Sequence, residues 1–173
     1  MELLKKHIRT VPDFPKAGIL FRDITPLLES PEAFGRTIEI FAERYRDEKL
    51  DRIVAIDARG FLFGAALGLK LGVGLALVRK PGKLPHDTAR REYSLEYGKD
   101  AVEMHKDAVA PGQRCLIVDD LLATGGTAAA AVELVAEQGG HVVECAFVIE
   151  LTGLGGRERL AGAPSFALMD YPA

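Results

Sequence analysis

Twice in this chain a five-residue run, apolar but for its opening arginine, leads into an aspartate and a turn. Each turn opens into a helix of small residues, and a further apolar run follows. The first unit runs from Arg52 to Ile56 (RIVAI), through the turn Asp57-Ala58-Arg59-Gly60, into a helix over FLFGAALGLKLG that ends near Gly72. A strand over Leu75 to Val78 completes it. The second starts at the turn Pro111-Gly112, runs as a strand from Arg114 to Val118 (RCLIV), and passes through the connector DDLLATGG. It then forms a helix from Thr127 to Gln138, stopped by Gly139-Gly140, and a strand from Val142 to Ile149. Strand, turn, helix, strand is the signature of parallel pairing through a crossover helix. The fold class is therefore α/β, a mainly parallel sheet flanked by helices. Ser30-Pro31 reads as an N-cap with proline in the first turn, and Phe34, Ile38, Phe41 and Tyr45 then recur at helical spacing. Tyr93 to His105 alternates around Gly98 and predicts a hairpin projecting from the sheet. One domain over residues 1–173, with small additions at both ends, is the economical organisation.

Composition removes several classes of function. With 48% hydrophobic and 27% charged residues the chain is too apolar for a disordered protein. No apolar run approaches the roughly 20 residues of a membrane span, and MELLKKHIRT lacks the apolar centre of a secretory signal. A cytoplasmic protein with no membrane association is expected. The two cysteines, Cys115 and Cys145, sit in apolar runs and read as buried free thiols, and the four histidines show no metal-ligand spacing. A net charge of -3 argues against a nucleic-acid partner. One stretch runs the other way: Arg79, Lys80, Lys83, Arg90 and Arg91 are opposed only by Asp87. That stretch is either a solvated face or a landing site for a small polyanion.

The most informative segment is CLIVDDLLATGGTAAAAVELV, Cys115 to Val135. A strand ends in two carboxylates, Asp119 and Asp120, and the loop Ala123-Thr124-Gly125-Gly126-Thr127 leads into a helix. Glycines admit close backbone approach, successive N–H groups at a helix start cradle an anion, and Thr124 and Thr127 add hydroxyl donors. The acids would repel a phosphate, so they must face ribose hydroxyls or a developing cation. GxxxxGK[ST] and GxGxxG are both missing, which removes P-loop and dinucleotide readings. Arg59, at the start of the first helix, is placed for an anion, although a lone arginine there is often structural.

Val118 to Thr127 resembles the PRPP-binding signature of the type I phosphoribosyltransferases. In that family the loop after the acids, here Ala123, Thr124, Gly125, Gly126 and Thr127, holds the 5′-phosphate, and the acids face the ribose and its oxocarbenium-like transition state. The signature alone leaves the base open among adenine, hypoxanthine, guanine, xanthine and orotate. Four further segments resemble the adenine-using members. FPKAGILFRDITP (Phe14 to Pro26) is similar to their N-terminal hood, and Asp57-Ala58-Arg59-Gly60-Phe61 to their pyrophosphate loop. RKPGKLP from Arg79, with YSLEYG from Tyr93, is similar to their mobile catalytic loop, and Glu150-Leu151-Thr152 to the segment closing the base pocket.

The resemblance implies a hood over about residues 1–30, a mobile loop over about 80–105, and a homodimer. It implies purine salvage by transfer of the phosphoribosyl group of PRPP to adenine, with Mg2+ carried by PRPP rather than by a protein cage. It also assigns roles. Glu96, Asp119 and Asp120 become catalytic. Arg59, Arg79, Lys80, Lys83 and Tyr97 join the phosphate loop in holding PRPP or AMP. Leu20, Phe21, Arg22 and Leu151 surround adenine. A cis peptide between Asp57 and Ala58 is implied as well. Taken without the resemblance, Phe21 reads as a core residue and Glu96 as a surface one. A PRPP-sensing regulator on the same fold is the rival from another class.

Overall fold

The computed structural model describes residues 1–94 and 98–173. In chain order the elements are α1 (Glu2–Lys6), β1 (Arg9–Pro12), β2 (Leu20–Asp23), α2 (Thr25–Glu29), α3 (Pro31–Tyr45), β3 (Arg52–Ile56), α4 (Gly60–Leu71) and β4 (Gly74–Val78). There follow β5 (Thr88–Ser94), β6 (Lys99–His105), β7 (Arg114–Leu122), α5 (Gly126–Glu137), β8 (His141–Thr152) and β9 (Ser165–Pro172).

The core is a five-stranded sheet in the order β4-β3-β7-β8-β9, with every neighbouring pair parallel. Strands buried on both faces have no polar side to show, which is why RIVAI and CLIV carry no alternation. One face packs Cys115 and Ile117 of β7 and Phe147 of β8 against Ala131 and Leu134 of α5. The other packs Leu116 and Val118 against Phe63 and Leu67 of α4 and Phe41 of α3. Phe41, Phe63 and Phe147 are fully buried, and truncating any one of them to alanine costs about 3–5 kcal/mol. The Ser30 hydroxyl accepts from the Ala33 N–H and so caps α3, with Pro31 in the first turn, as the sequence predicts. Gly72, at φ +69°, ends α4. Cys115 and Cys145 are buried free thiols; burial pushes the first up to about 11 and the second to about 12, so both stay protonated and unreactive.

Three elements depart from the sequence expectation. The strand predicted to stop at Val118 continues through both aspartates to Leu122, because β8 runs beside it and supplies ladder partners at Phe147, Ile149 and Glu150. The hairpin begins at Thr88 rather than Tyr93: the charged residues Arg90, Arg91 and Glu92 are already paired with β6 in an antiparallel ribbon outside the main sheet. The C-terminal residues are not a small addition but the fifth strand of the core. At the other end β1 and β2 form a separate two-stranded ribbon, while Leu4 and Leu27 on either side of it are fully buried in the core.

Candidate active site

All five core strands point the same way, so the loops after β3, β4, β7 and β8 gather at one edge. The crossover helices leave on opposite faces, α4 after β3 and α5 after β7, and the crevice opens between these two adjacent strands. Open α/β sheets bind ligands at such a switch point.

Asp119 and residues 121–128 line a cavity of about 100 Å³ there. Gly125 adopts φ +79° and sits at the N-cap of α5, so the first N–H groups of a twelve-residue helix face the loop. The sequence-predicted set Asp119, Ala123, Thr124, Gly125, Gly126 and Thr127 is thus brought round one small concavity. From the β3 side, Arg59 crosses the switch point and donates from Nε to Asp120 Oδ2 at 2.5 Å. Asp120 is nearly buried and Arg59 half-exposed. Gly60 has no room for a side chain, since a Cβ would lie 2.7 Å from the Val118 carbonyl and 2.9 Å from Asp119 Oδ1. The two loops therefore touch. The Asp57–Ala58 peptide is cis, as the resemblance implied.

The two acids have different environments. Asp120 has a guanidinium. Among the described residues Asp119 accepts only the N–H of Asp120, at 2.8 Å. Burial first, and the Asp120 charge second, hold the Asp119 carboxyl well above the usual carboxylate range. An acid kept uncomfortable in this way gains most from a cation arriving beside it.

The basic residues are already engaged. Arg79 Nε donates to Asp57 Oδ2 at 2.8 Å, and its backbone bridges Glu103 of β6. Lys80 Nζ donates to the Tyr93 hydroxyl at 2.8 Å and pairs with Asp100. Lys80 draws the Asp100 carboxyl down, and that pair outweighs the burial that acts to lower Lys80 itself. Lys83 lies beyond them on an exposed turn. Glu96 and Tyr97 lie outside the described residues. Tyr93, opposite Asp100 in the ribbon, leans on the loop before α5: a Cβ on Gly126 would meet Tyr93 Cδ2 at 2.9 Å.

On the base side, Leu20 is exposed and Phe21 half-buried, edge-on to Phe14 at 5.1 Å. Arg22 does not point to open space. Its guanidinium lies 4.6 Å from the centre of the Tyr171 ring and donates to Thr10 Oγ1 and to the Pro172 carbonyl. Arg22 thus ties the ribbon to β9, whose Tyr171 pairs with Leu151. This makes it a strut between the ribbon and the sheet edge. Sequence reasoning named Asp57 and Tyr93 only as members of the pyrophosphate-loop and catalytic-loop segments, and missed Asp100, Gly156 and Arg157 around the site. Only the run TGLGG at Thr152 to Gly156 signalled that a close-packed loop stood there.

Residues 23–161 match the phosphoribosyl transferase domain family. Fold and site together define a phosphoribosyltransferase. The adenine phosphoribosyltransferases of Trichlorobacter lovleyi and Geobacter metallireducens are 53% and 52% identical to it, each over 99% of this chain and 100% of the relative. The crystal structure of adenine phosphoribosyltransferase from Thermoanaerobacter pseudethanolicus superposes with a TM-score of 0.95 at 54% identity, covering 98% of this chain and 99% of that one. The Saccharomyces cerevisiae enzyme, complexed with adenine and an imino-altritol bisphosphate, gives 0.92 at 44% identity over 96% and 97%. The chain belongs to the adenine phosphoribosyltransferase family.

Proposed function

We propose that this chain transfers the 5-phosphoribosyl group of PRPP to N9 of adenine, giving AMP and pyrophosphate in purine salvage. The observation that carries the reading is the phosphate-sized concavity of Asp119 and residues 121–128 joined across the switch point to Arg59. The 5′-phosphate sits in the loop of Ala123 to Thr127, held by N–H groups and the Thr124 and Thr127 hydroxyls. That places C1′ toward Asp119 and Asp120 and the diphosphate toward Arg59, Arg79, Lys80 and Lys83.

The C1′–O bond to pyrophosphate breaks ahead of formation of the C1′–N9 bond, so positive charge builds on the ribose. Asp119, buried without a cationic partner, is placed to stabilise that charge. The N9 proton leaves to a base, the role given to Glu96, while Tyr97 closes over the ribose. Mg2+ bound to PRPP would supply neutralisation of the leaving diphosphate, with Asp119 and Asp120 placed to meet the hydroxyls and waters of that complex. Two carboxylates, one of them tied to Arg59, suit that contact rather than a protein cage.

Leu20, Phe21, Arg22 and Leu151 form the base side, Arg22 by holding the ribbon in place. The backbone near Leu20 supplies the donor and acceptor that read the adenine edge, and hypoxanthine reverses both. A mismatch of that kind yields discrimination of about 10⁴ or more. A homodimer fits the face of α4, where Leu62 and Leu69 are exposed, Leu69 by 88%. Residence in the cytoplasm fits the two buried free thiols and phosphorylated substrates that do not cross membranes unaided. Among the described residues no helix is long and apolar enough to span a membrane. The deciding experiment is kcat/KM for adenine, hypoxanthine and guanine at fixed PRPP and Mg2+. Adenine is expected to lead by about four orders of magnitude. Comparable values would remove adenine as the substrate and leave the transfer standing; no nucleotide at all would favour a PRPP-sensing regulator.

A further inference from the structure

Two loops meet at the proposed phosphate site backbone against backbone, with the Leu122 side chain beside the contact, 3.0 Å from where a Gly156 Cβ would lie. A Cβ on Gly125 would lie 2.3 Å from the Gly156 carbonyl oxygen, and one on Gly156 would lie 2.3 Å from the Ala123 carbonyl oxygen. Carbon–oxygen contacts settle near ~3.3 Å, so backbone rests directly on backbone. The loop after β8 is therefore the wall against which residues 123–126 take their shape.

That wall is itself staked. Arg157 follows Gly156 directly. Its Nε lies 2.8 Å from both carboxylate oxygens of Glu150, and a terminal nitrogen reaches Oε2 as well. The other terminal nitrogen donates to the Ser165 carbonyl at 3.0 Å and to its hydroxyl at 3.3 Å. Glu150 is 8% exposed. Arg157 thus spans from the end of β8 to the start of β9, one peptide bond from the glycine on which the phosphate loop rests. Only the Glu150 end of the pair is buried, and an ion pair with one exposed partner adds little net stability, so what it contributes is geometry. A fork held at several points leaves Gly156 little freedom to shift.

We propose that Glu150 and Arg157 are positioning residues for the phosphoribosyl substrate: they fix Gly156 against Ala123 and Gly125, so that the 5′-phosphate loop is shaped before the ligand arrives. They act through Gly156 and not through the ligand. The inference rests on the reading of residues 123–127 as the phosphate loop.

Leu151 adjoins Glu150, so overall affinity is a mixed readout and the phosphate contribution must be isolated. The measurement is the ratio of AMP to adenosine affinity by calorimetry on the full chain, with a thermal melt of each variant. Arg157→Met keeps the stem and removes the fork. It should reduce the ratio tenfold or more while adenosine affinity stays within about threefold. Glu144→Gln is the matched control. Glu144 is held by both Arg44 and the Tyr45 hydroxyl at the far end of β8, so this variant should lower the melting temperature and leave the ratio unchanged. Gly156→Ala leaves the ion pair intact and presses on Ala123, and it should reproduce the loss even if Arg157→Met folds poorly. An unchanged ratio in a folded Arg157→Met or Gly156→Ala would overturn the inference alone. A wild-type protein that binds AMP no tighter than adenosine would overturn the phosphate-loop reading beneath it.

Discussion

Gly125→Ala adds one carbon at the point where the phosphate loop has least room. The residue stands at φ +79°, where an alanine costs about 1–2 kcal/mol. Its Cβ would lie 2.3 Å from the Gly156 oxygen, about 1 Å short of an ordinary contact. The near atoms are all backbone, so nothing can swing aside, and overpacking of that kind costs about 1–3 kcal/mol more. The sum, about 2–5 kcal/mol, lowers the melting temperature by about 4–20 °C in a chain of this size. The loop must also retreat by most of that ångström, and a misplacement on that scale costs on the order of 10² in kcat/KM for PRPP. A bulky substitution at Gly125 therefore disturbs fold and ligand together. Gly72→Ala separates the two effects. Gly72 has φ +69° and nothing within 4 Å of a built Cβ, so only the backbone term of about 1–2 kcal/mol applies and PRPP kinetics stay normal. Steady-state kinetics and thermal melts of both variants check the reasoning. It fails if Gly125→Ala keeps kcat/KM within about threefold of wild type and melts no lower than Gly72→Ala.

Two further substitutions probe the charges. Asp119→Asn should lower kcat by about 10²–10³ and yet stabilise the free protein at neutral pH. The folded carboxyl titrates above its unfolded value, so the folded state binds more protons and wild-type stability falls as pH rises from the ordinary carboxylate range through the folded pKa. Asparagine removes that loss, so the gap between the two melting curves should close toward pH 4; a gap that widens there would contradict the assignment. Asp100→Asn releases Lys80 from its present partner and should lower the KM for PRPP by about two- to fivefold, the range of a partly exposed ion pair. A raised KM would mean that Lys80 works from its seat on Asp100.

What the sequence made legible were features with local causes. The Ser30 cap, the Gly72 and Gly139 stops, the two crossover units and the acid pair before a glycine loop are each written in consecutive residues. What it hid depends on pairing across the chain. β7 runs four residues past its apolar core because β8 lies alongside, and nothing in Asp119 to Leu122 announces that neighbour. β9 is a core strand although a proline ends it, since the edge position spares that residue a ladder donor. The charged segment from Arg90 to Glu92 reads as a solvated linker. It is a strand because it pairs with β6, and Arg91 anchors it to Glu133 and Glu137 of α5. The contact of Gly125 with Gly156 depends on pairing too: the run TGLGG marks a tight loop, but nothing in it names residues 122–125 as the neighbours that press on Gly156.

The electrostatic logic of the crevice follows from the same topology. β3 sends its helix to one face of the sheet and β7 to the other, and the crevice lies between the turns that begin them. Arg59 crosses that crevice to pair with Asp120, while Asp119 has no ion-pair partner among the described residues. Had both acids been paired with cations, a ribosyl cation would meet a neutralised wall. Had neither been, two adjacent buried carboxylates would share a proton and lose half their charge. One paired and one unpaired acid gives a fixed geometry together with a carboxyl that burial and the Asp120 charge hold above the usual range, beside the loop proposed to take the 5′-phosphate, so a ribosyl cation formed there would draw out its ionised form.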